Sequence, residues 1–215
     1  MSLAPTVRTR VKRMNENAKY DAVTIHSILD AQPMCTVGYS FKGSPYVTPT
    51  LQWREGNHIY WHGSAASRML EASEETQVCV NVTIFDGMVM ARSAFEHSCN
   101  YRSVMAFGVA QKVTHRDDKE ARLKAMVEKL FPGRGEMLRK MQEKELKATT
   151  ILGLKLNEVS AKVRSGPPLD HEDDYGLPIW AGVIPLQTAS MPPINDPRLL
   201  AGLVAPEHVA KFKIG

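Results

Sequence analysis

Short β-rich segments separated by turn residues fill the first half of the chain, and they restrict the fold more than any other feature. Between positions 34 and 62 the sequence reads MCTVGYSF, KGS, PYVTPTLQW, REGN and HIYWH. β-Branched and aromatic residues bounded by Gly, Asn and Ser are typical of antiparallel hairpins. The alternation returns in QVCVNVTIF, RSVMAFGVAQKVTH and ILGLKLNEVSAKV. We therefore predict six or seven strands in an antiparallel barrel rather than a parallel βαβ sheet.

Helical spacing interrupts this pattern in a few places. Residues 21–32 have Asp21 at the N-cap position and apolar residues on one face, which predicts a short amphipathic helix. Residues 117–131 have apolar side chains at i, i+3 and i+4 spacing after an acidic first turn. A second, more polar helix is predicted from about 136 to 147. Residues 117–147 therefore form a helical insertion in a mainly β fold.

The chain is predicted to form one folded domain with an extension at each end. A chain of 215 residues with 43% hydrophobic residues is long enough to bury a full core. We assign residues 20–187 to a barrel domain and residues 1–19 to a basic N-terminal arm, which is either solvated or an inter-subunit strap. Residues 188–215 have too many prolines for a central element, so we assign them to a Pro-rich tail. Pro206 would begin its last helical turn or two.

Composition excludes several classes of function. Three cysteines without CxxC spacing argue against a disulfide framework or a zinc site, and favour a reducing, cytoplasmic setting. No apolar run approaches the roughly 20 residues of a membrane span, so we expect no membrane partner. The histidines have neither HxxxH nor HExxH spacing, so no metal site is predicted. The net charge of +4 suits an anionic ligand, whereas nucleic acid is not expected because the basic run lacks interleaved aromatic residues.

The segment IYWHGSAASRML, residues 59–70, has ring side chains, then small residues, then an arginine. If HIYWH is a strand and SAASRMLEA a helix, residues 63–67 form the loop that enters the helix, where unpaired N–H groups favour an anion. Ser64 and Ser67 add hydroxyl donors, and Arg68 adds a guanidinium suited to two phosphate oxygens. The same residues also fit a plain helix cap, with Arg68 as a surface charge.

Four segments in this order, PYVTPTLQW, IYWHGSAASRML, NYRSVMAFGVA and WAGVIPL, resemble the pyridoxamine 5'-phosphate oxidase-related family of FMN-binding split-barrel proteins. The most similar branch contains nitroimidazole reductases and flavin-nucleotide-binding proteins. The resemblance runs from about residue 20 to residue 186. It implies an antiparallel split barrel and a homodimer with FMN at the interface. FMN rather than FAD is expected because the 63–68 loop would end on a terminal phosphate and no GxGxxG fingerprint occurs.

Carried over position by position, the resemblance also implies a cofactor site. Ser67 and Arg68 match the serine-arginine pair that binds the FMN phosphate, and residues 47–51 match a strand that lines the flavin ring. Because Pro49 has no N–H, its two threonine neighbours would make the polar contacts. The predicted cofactor-binding residues are Val47, Thr48, Pro49, Thr50, His62, Gly63, Ser64, Ser67, Arg68, Met69, Asn100, Arg102, Ser103 and Trp180. The three from the 100–103 segment would reach across the dimer.

Two of these residues also fit a structural role instead of a role in binding the cofactor. Arg102 also fits an ion pair with a carboxylate at the dimer interface. Trp180 also fits a core or interface aromatic residue. No residue is predicted to be catalytic, because none is recognisable as a proton donor.

Three functions are compatible with this pattern. The resemblance favours an FMN-dependent oxidoreductase that acts on a small organic molecule, with NAD(P)H as a candidate reductant. The alternatives are a non-catalytic flavin-binding or sensing protein, and a haem-binding split-barrel protein with histidines such as His62 as ligands. Oxidation of pyridoxamine phosphate itself is not expected, because no Lys or Arg closely follows Trp180 to hold a substrate phosphate.

Overall fold

Antiparallel pairing joins the ten strands of this computed structural model, which describes residues 4–214, into one sheet. The strands are β1 (Ala18–Lys19), β2 (Met34–Phe41), β3 (Ser44–Glu55), β4 (His58–Ser64), β5 (Gln77–Met90), β6 (Ser98–Val109), β7 (Gln111–Lys112), β8 (Thr149–Lys155), β9 (Glu158–Arg164) and β10 (Gly182–Pro185). The helices are α1 (Ala22–Ala31), α2 (Arg68–Ser73), α3 (Arg116–Leu130), α4 (Glu143–Ala148) and α5 (Glu207–Ala210). Residues 1–3 of the predicted arm and residue 215 of the predicted tail lie outside the described residues.

The strand order is β1-β9-β6-β5-β2-β3-β4-β8-β7, with β10 paired to β5. β8 and β9 follow one another along the chain, yet β8 pairs with β4 and β7 while β9 pairs with β6 and β1. The sheet therefore curls without closing. Seven of the strands have seven or more residues. The predicted fold class, a mainly β antiparallel split barrel of six to seven strands, is confirmed.

A two-residue turn joins β2 to β3 and sets their register. Lys42 and Gly43 both have positive φ, 50° and 78°, which is the conformation of a type I′ turn, whose twist matches that of a hairpin. Phe41 therefore faces Ser44, and the pairing continues along residues 44–51 of β3. Only residues 52–55 pair with β4. β3 thus passes from one part of the sheet to the other.

Apolar side chains fill both faces of the sheet near β4. Ile59 and Trp61 point into the barrel, where they are fully buried with residues of α1, α2 and five other strands. Trp53 and Tyr60 point outward and form a second buried cluster with Leu123 of α3 and residues of α4 and β8. Burial of large aromatic side chains contributes strongly to such clusters. The helical insertion therefore fixes this end of the barrel.

Two of the predicted helices are present, and a third is shorter than predicted. Asp21 caps α1 by accepting a hydrogen bond from Thr24 N at 2.8 Å, and α3 covers the predicted 117–131 region. The helix predicted at 136–147 was wrong in extent, because only α4 and a single 3-10 turn occur there. The shorter extent is caused by a capping box at Gln142. Glu145 accepts a hydrogen bond from the backbone N–H of Gln142, so a new helix begins at residue 143.

The two extensions lie against the barrel. Arg8 of the arm pairs with Glu158 and donates to Gln77 at 3.0 Å, and Thr9 is buried. The tail runs without regular structure until α5, which Pro206 precedes as predicted. No helix within residues 4–214 has both the length and the apolar character needed to cross a bilayer.

Candidate functional site

β3 is paired with β4 from residue 52 onward, but the two strands separate on the N-terminal side of residue 52. This separation exposes one edge of β3. Gln52 N donates to Pro33 O at 2.8 Å, so the backbone of residue 52 faces β2. Successive residues of a strand direct their N–H and C=O groups to opposite sides. The backbone groups that point away from β2, to the side that β4 has left, therefore belong to residues 45, 47, 49 and 51. We call this row the free β3 edge.

The free β3 edge determines which residues can contact a ligand with their backbone. Pro45 and Pro49 have no N–H, so the free N–H groups belong to Val47 and Leu51. The predicted Thr48 and Thr50 instead direct their backbone groups toward β2. The hydroxyl of Thr48 lies 3.4 Å from that of Tyr39. The assignment of Thr48 and Thr50 to the cofactor stays a prediction. Only their side chains, not their backbone groups, could make this contact.

The loop after β4 lies on the other side of the separation. His62, Gly63 and Ser64 end β4, and Ser67 is the N-cap residue of α2. The loop uses several of its own donors: Ala65 N bonds to Ala148 O, Ala66 N to Ser64 Oγ and Ser67 N to Ser64 O. Met69 is buried in the core. What this loop can offer an anion is therefore the first turn of α2, the Ser67 hydroxyl and Arg68.

Arg68 lies over two rings of the β2–β3 hairpin. Its guanidinium carbon lies 4.8 Å from the centre of the Tyr46 ring and 5.6 Å from that of Phe41. Lys42 Nζ lies 5.3 Å from the same Phe41 ring. Within residues 4–214 no carboxylate lies within ion-pair distance of Arg68. The side chain is thus positioned by cation–π contact while its N–H donors stay available to an anion.

His62 lies at the end of a row of rings on the outer face of β3 and β4. His58 stacks on Tyr60, Tyr60 stacks on Trp53, and Trp53 meets His62 edge-on at 6.0 Å. His62 Nδ1 is buried and has no hydrogen-bond partner among the described residues. Burial lowers the pKa of His62. A neutral imidazole is favoured there.

Within one chain, the predicted residues of β6 lie far from the free β3 edge. β6 is three strands from β3, which is roughly 14 Å at the usual strand spacing. Asn100 is buried and bonds to Gly166 O and Arg164, while Ser103 Oγ lies 3.4 Å from Lys162 O. The structure of a single chain does not bring them together with Arg68.

Arg102 has a partner of its own. Its Nε and Nη2 donate to the two carboxylate oxygens of Asp86 at 2.9 and 2.8 Å. Both residues line a cavity of about 440 Å³ beside residues 185–188. This is the ion-pair role that the sequence left open, although within one chain rather than between two.

Trp180 is largely exposed to solvent. Its side chain is 66% exposed just before β10. It covers Gly182, where a Cβ would lie 3.0 Å from the indole. Among residues 4–214, no three or more His, Cys, Asp or Glu side chains are grouped to hold a metal ion.

The sequence did not identify the residues that position Arg68. Tyr46 and Phe41 belong to the hairpin, whereas Arg68 follows β4, so their contact depends on tertiary packing of α2 against β2. The only available signal was the two-residue turn at Lys42 and Gly43, which fixes Tyr46 opposite Tyr39. The cation–π contact could not be predicted from that alone.

The comparisons with known proteins are consistent over most of the chain. A family model described as pyridoxamine 5'-phosphate oxidase matches residues 21–163. The flavocytochrome Anf3 from Azotobacter vinelandii is 46% identical, with a TM-score of 0.95 over 99% of this chain and 100% of its own. The FAD and haem binding protein from Mycobacterium smegmatis is 35% identical, with a TM-score of 0.86 over 90% of this chain and 95% of its own.

A more distant structure has the same fold. It is a putative 5-nitroimidazole antibiotic resistance protein from Bacteroides thetaiotaomicron, 19% identical, with a TM-score of 0.56 over 68% of this chain and 86% of its own. No functionally curated protein matches the chain.

Proposed function

The chain belongs to the pyridoxamine 5'-phosphate oxidase family, and from this membership we propose that it is an oxidoreductase that binds both a flavin and a haem. The observation that carries the proposal is 46% identity, over 99% of the chain, to a protein named as a flavocytochrome. The relative from Mycobacterium smegmatis is named for FAD and haem. Both similarities extend beyond the residues that the family model matches.

The flavin site is assigned to the separation between β3 and β4. The free N–H groups of Val47 and Leu51 suit the carbonyl-rich edge of a flavin ring, and Arg68 suits its phosphate. Ser67 adds a hydroxyl beside Arg68. This geometry supports the sequence prediction for residues 47–51 and 62–69, although it changes which strand residues supply backbone donors.

FMN and FAD are both candidates for this flavin. FMN was predicted from the loop and from the missing dinucleotide fingerprint, and it needs one phosphate contact, for which Arg68 is free. FAD is favoured by the name of the relative from Mycobacterium smegmatis. An FAD would need partners for a second phosphate and an adenosine, and Lys42, which lies over the same Phe41 ring as Arg68, is a candidate for the second phosphate.

The two cofactors supply complementary redox chemistry. A flavin accepts a hydride and a haem iron exchanges single electrons, while the protein supplies binding, orientation and electrostatics. A reduced nicotinamide nucleotide is therefore the proposed donor class, and a small organic molecule the proposed substrate class. The chain's own contribution at the flavin is the Arg68 charge, the donors of the free β3 edge and the imidazole of His62, whose Nδ1 is buried and whose pKa is lowered by burial.

We also propose that the protein is a homodimer. The outer face of the sheet exposes Met34, Val47, Leu51 and Met105, apolar side chains that a partner chain would cover. A two-fold pairing of this face would bring the 100–103 segment of one protomer toward the free β3 edge of the other. That arrangement would reconcile the roughly 14 Å separation within one chain with the predicted shared site.

Absorbance spectroscopy of the purified full-length protein tests the function directly. We expect flavin bands together with a Soret band, and bleaching of the flavin bands when NAD(P)H is added without oxygen. Heat release followed by mass spectrometry identifies the flavin as FMN or FAD. A protein that binds neither cofactor after incubation with FMN, FAD and haem would disprove the proposal. Binding of a flavin without binding of haem would leave only the flavin part of the proposal.

A further inference from the structure

The N-terminal arm carries the whole formal net charge of the protein. Of the 27 lysines and arginines and the 23 acidic residues of the chain, five and one lie in residues 1–19, which leaves 22 of each sign in residues 20–215. A charge that is concentrated on one short segment creates a local positive potential, while the rest of the surface is balanced. Attraction to an acidic partner would therefore come from the arm.

The arm is held against the barrel, so its charges have a fixed place. The guanidinium carbon of Arg8 lies 5.4 Å from the centre of the Phe107 ring. The hydroxyl of Tyr20 accepts a hydrogen bond from Val11 N at 2.9 Å, which closes residues 11–20 into a loop. A charged surface that is already ordered loses little entropy when a partner binds to it.

The cations of this loop have no partners of their own. Lys12, Arg13 and Lys19 are exposed, and Lys162 of β9 is half-buried opposite Ala18. Within residues 4–214 no carboxylate lies within ion-pair distance of these four cations. We call the four residues the arm patch. Their N–H donors stay available to carboxylates of another molecule.

The arm patch borders the segment that the proposed dimer brings to the flavin. In the register of the sheet, Ala18 lies opposite Lys162, and Lys162 lies opposite Ser103. Two strand spacings, roughly 10 Å, therefore separate the arm from residue 103. In the proposed dimer the 100–103 segment reaches toward the free β3 edge of the other protomer. A molecule bound at the arm patch would then lie close to a flavin.

The composition and shape of the arm favour a protein partner over a nucleic acid or a membrane. Residues 1–19 contain no aromatic side chain on which a base could stack. Within residues 4–19 the only helical element is a three-residue 3-10 turn at Asn15–Asn17, so this part of the chain forms no amphipathic helix that could lie in a membrane. Fixed cations at a sheet edge suit the carboxylates of a folded protein, which they would attract and orient.

We propose that the arm patch is a docking surface for an acidic protein that carries single electrons. The inference rests on the proposed function, because a haem exchanges single electrons whereas a nicotinamide delivers a hydride. The reduced carrier would give one electron to the oxidised flavin- and haem-containing protein, and no bond would form or break. Opposite charges would speed the encounter and hold the carrier beside the 100–103 segment.

Binding and electron transfer are measured separately on the full-length protein, with plant-type ferredoxin as the acidic one-electron carrier. Fluorescence anisotropy of labelled ferredoxin gives the affinity, and stopped-flow absorbance without oxygen gives the rate at which reduced ferredoxin reduces the protein. We expect both to fall as salt rises from about 0.02 M to about 0.3 M, since exposed charges are screened beyond about 10 Å at 0.1 M.

Reversal of the arm charges tests the surface itself. The combined variant Lys12→Glu, Arg13→Glu and Lys19→Glu should slow reduction by ferredoxin at least about tenfold at low salt. Reduction by the methyl viologen radical, a small cation, should not slow in this variant, because the added carboxylates attract it. If the variant fails to fold by circular dichroism, Lys12→Gln with Arg13→Gln replaces it, with an expected loss of about threefold.

A matched control changes the net charge equally at another place. It reverses three exposed lysines near α4 and β8, at the opposite end of the strand order from β1: Lys140→Glu, Lys144→Glu and Lys155→Glu. This variant should slow ferredoxin far less than the arm variant does. Equal losses in the two variants would overturn the docking surface, since only the net charge would then matter.

Each remaining outcome also decides the question. Ferredoxin that does not bind wild-type protein at low salt, or that binds equally well to the arm variant, would overturn the inference. A DNA duplex or phosphatidylserine vesicles that bind wild type but not the arm variant, where ferredoxin does not discriminate, would give the arm a different partner. A protein without flavin or haem would overturn the proposed function, whereas the anisotropy measurement would still decide whether the arm patch binds the carrier.

Discussion

The guanidinium carbon of Arg68 lies 4.8 Å above the centre of the Tyr46 ring, although 21 residues and the whole of β4 separate the two in sequence. The ring holds the cation in place without neutralising it. A phosphate that binds there would meet a side chain whose orientation is already restricted, so little further entropy is lost on binding. Arg68 is therefore the residue whose removal should affect flavin binding most.

Arg68→Ala is expected to weaken flavin binding about ten- to hundredfold, which corresponds to about 1.5–3 kcal/mol for a charge-assisted contact. The thermal stability of the cofactor-free protein should change little, because the side chain is exposed and has no ion pair among the described residues. Flavin titration by fluorescence quenching measures the effect. Arg10→Ala, another exposed arginine, is the matched control. Equal affinities for the two variants would make Arg68 an ordinary surface charge.

Arg102 and Asp86 form a bidentate ion pair, so we expect their substitutions to have equivalent effects on stability. Both side chains are about a third exposed, which limits the pair to about 0.2–1 kcal/mol. Thermal unfolding of Arg102→Ala, Asp86→Ala and the double variant measures the coupling between them. If Arg102 also contacts the flavin across a dimer, Arg102→Ala alone should lower flavin affinity. Equal flavin affinity in all three would restrict Arg102 to the ion pair.

His62 should make the protein less stable in acid. Burial lowers its pKa in the folded state, below the unfolded value of about 6.5. The unfolded chain then binds more protons below that pH. The contribution of His62 to stability is therefore complete above about pH 6.5 and is lost as the pH falls. We expect the melting temperature of His62→Gln to fall less than that of wild type between pH 7.5 and pH 5.

His171→Gln, at an exposed position, provides the comparison and should follow wild type. His26 and His58 also have pKa values lowered by burial, and both variants retain them, so part of the acid sensitivity should persist. Parallel pH profiles for His62→Gln and wild type would contradict the expectation.

The three cysteines should differ in reactivity. Burial raises the pKa of the Cys35 thiol to about 12, and its side chain is buried in the barrel core. At pH 8 roughly one molecule in ten thousand would carry the reactive thiolate. Iodoacetamide should therefore leave Cys35 unmodified in native protein while the half-buried Cys99 reacts. Peptide mass mapping with and without denaturant checks this, and native labelling of Cys35 at the rate of Cys99 would refute it.

Met105→Lys is expected to weaken the proposed dimer. Met105 is 42% exposed on the outer face, in the same cross-strand row as Asn81, Thr36 and Pro49. A lysine there would place a charge at the centre of the proposed interface, which favours separation of the chains. Sedimentation equilibrium at micromolar concentration measures the assembly. Val23→Lys, on the exposed side of α1, should leave the assembly state unchanged. A wild-type protein that is monomeric with full flavin occupancy would contradict the shared-site proposal.

The sequence predicted local structure well where one pattern decided it. The Asp21 cap, the turn at Lys42 and Gly43, and the periodicity of α3 each depend on neighbouring residues, so they could be read directly. The helix at 136–147 failed because two competing starts lie close together. Its polar composition gave no indication that the capping box at Gln142 would prevail.

The candidate site residues stay predictions, but their placement in the fold depends on the same distinction between local and long-range order. Hairpin order places β3 beside β4, so the strand with residues 47–51 lies next to the strand that leads into residues 62–69. The assignment of polar contacts to Thr48 and Thr50 stays a prediction. That the outward N–H groups belong to Val47 and Leu51 could not be predicted, since the direction of each N–H depends on the exact register with β2.

The two prolines of the free β3 edge have a consequence for how the protein behaves at high concentration. An uncovered strand edge normally attracts further strands and promotes aggregation. Here Pro45 and Pro49 remove alternate donors from that edge, so an incoming chain would lack half of the hydrogen bonds needed to extend the sheet. A small ligand needs only one or two of them. The edge is therefore open to a small ligand and closed to another polypeptide, which protects the barrel from polymerising through its own site.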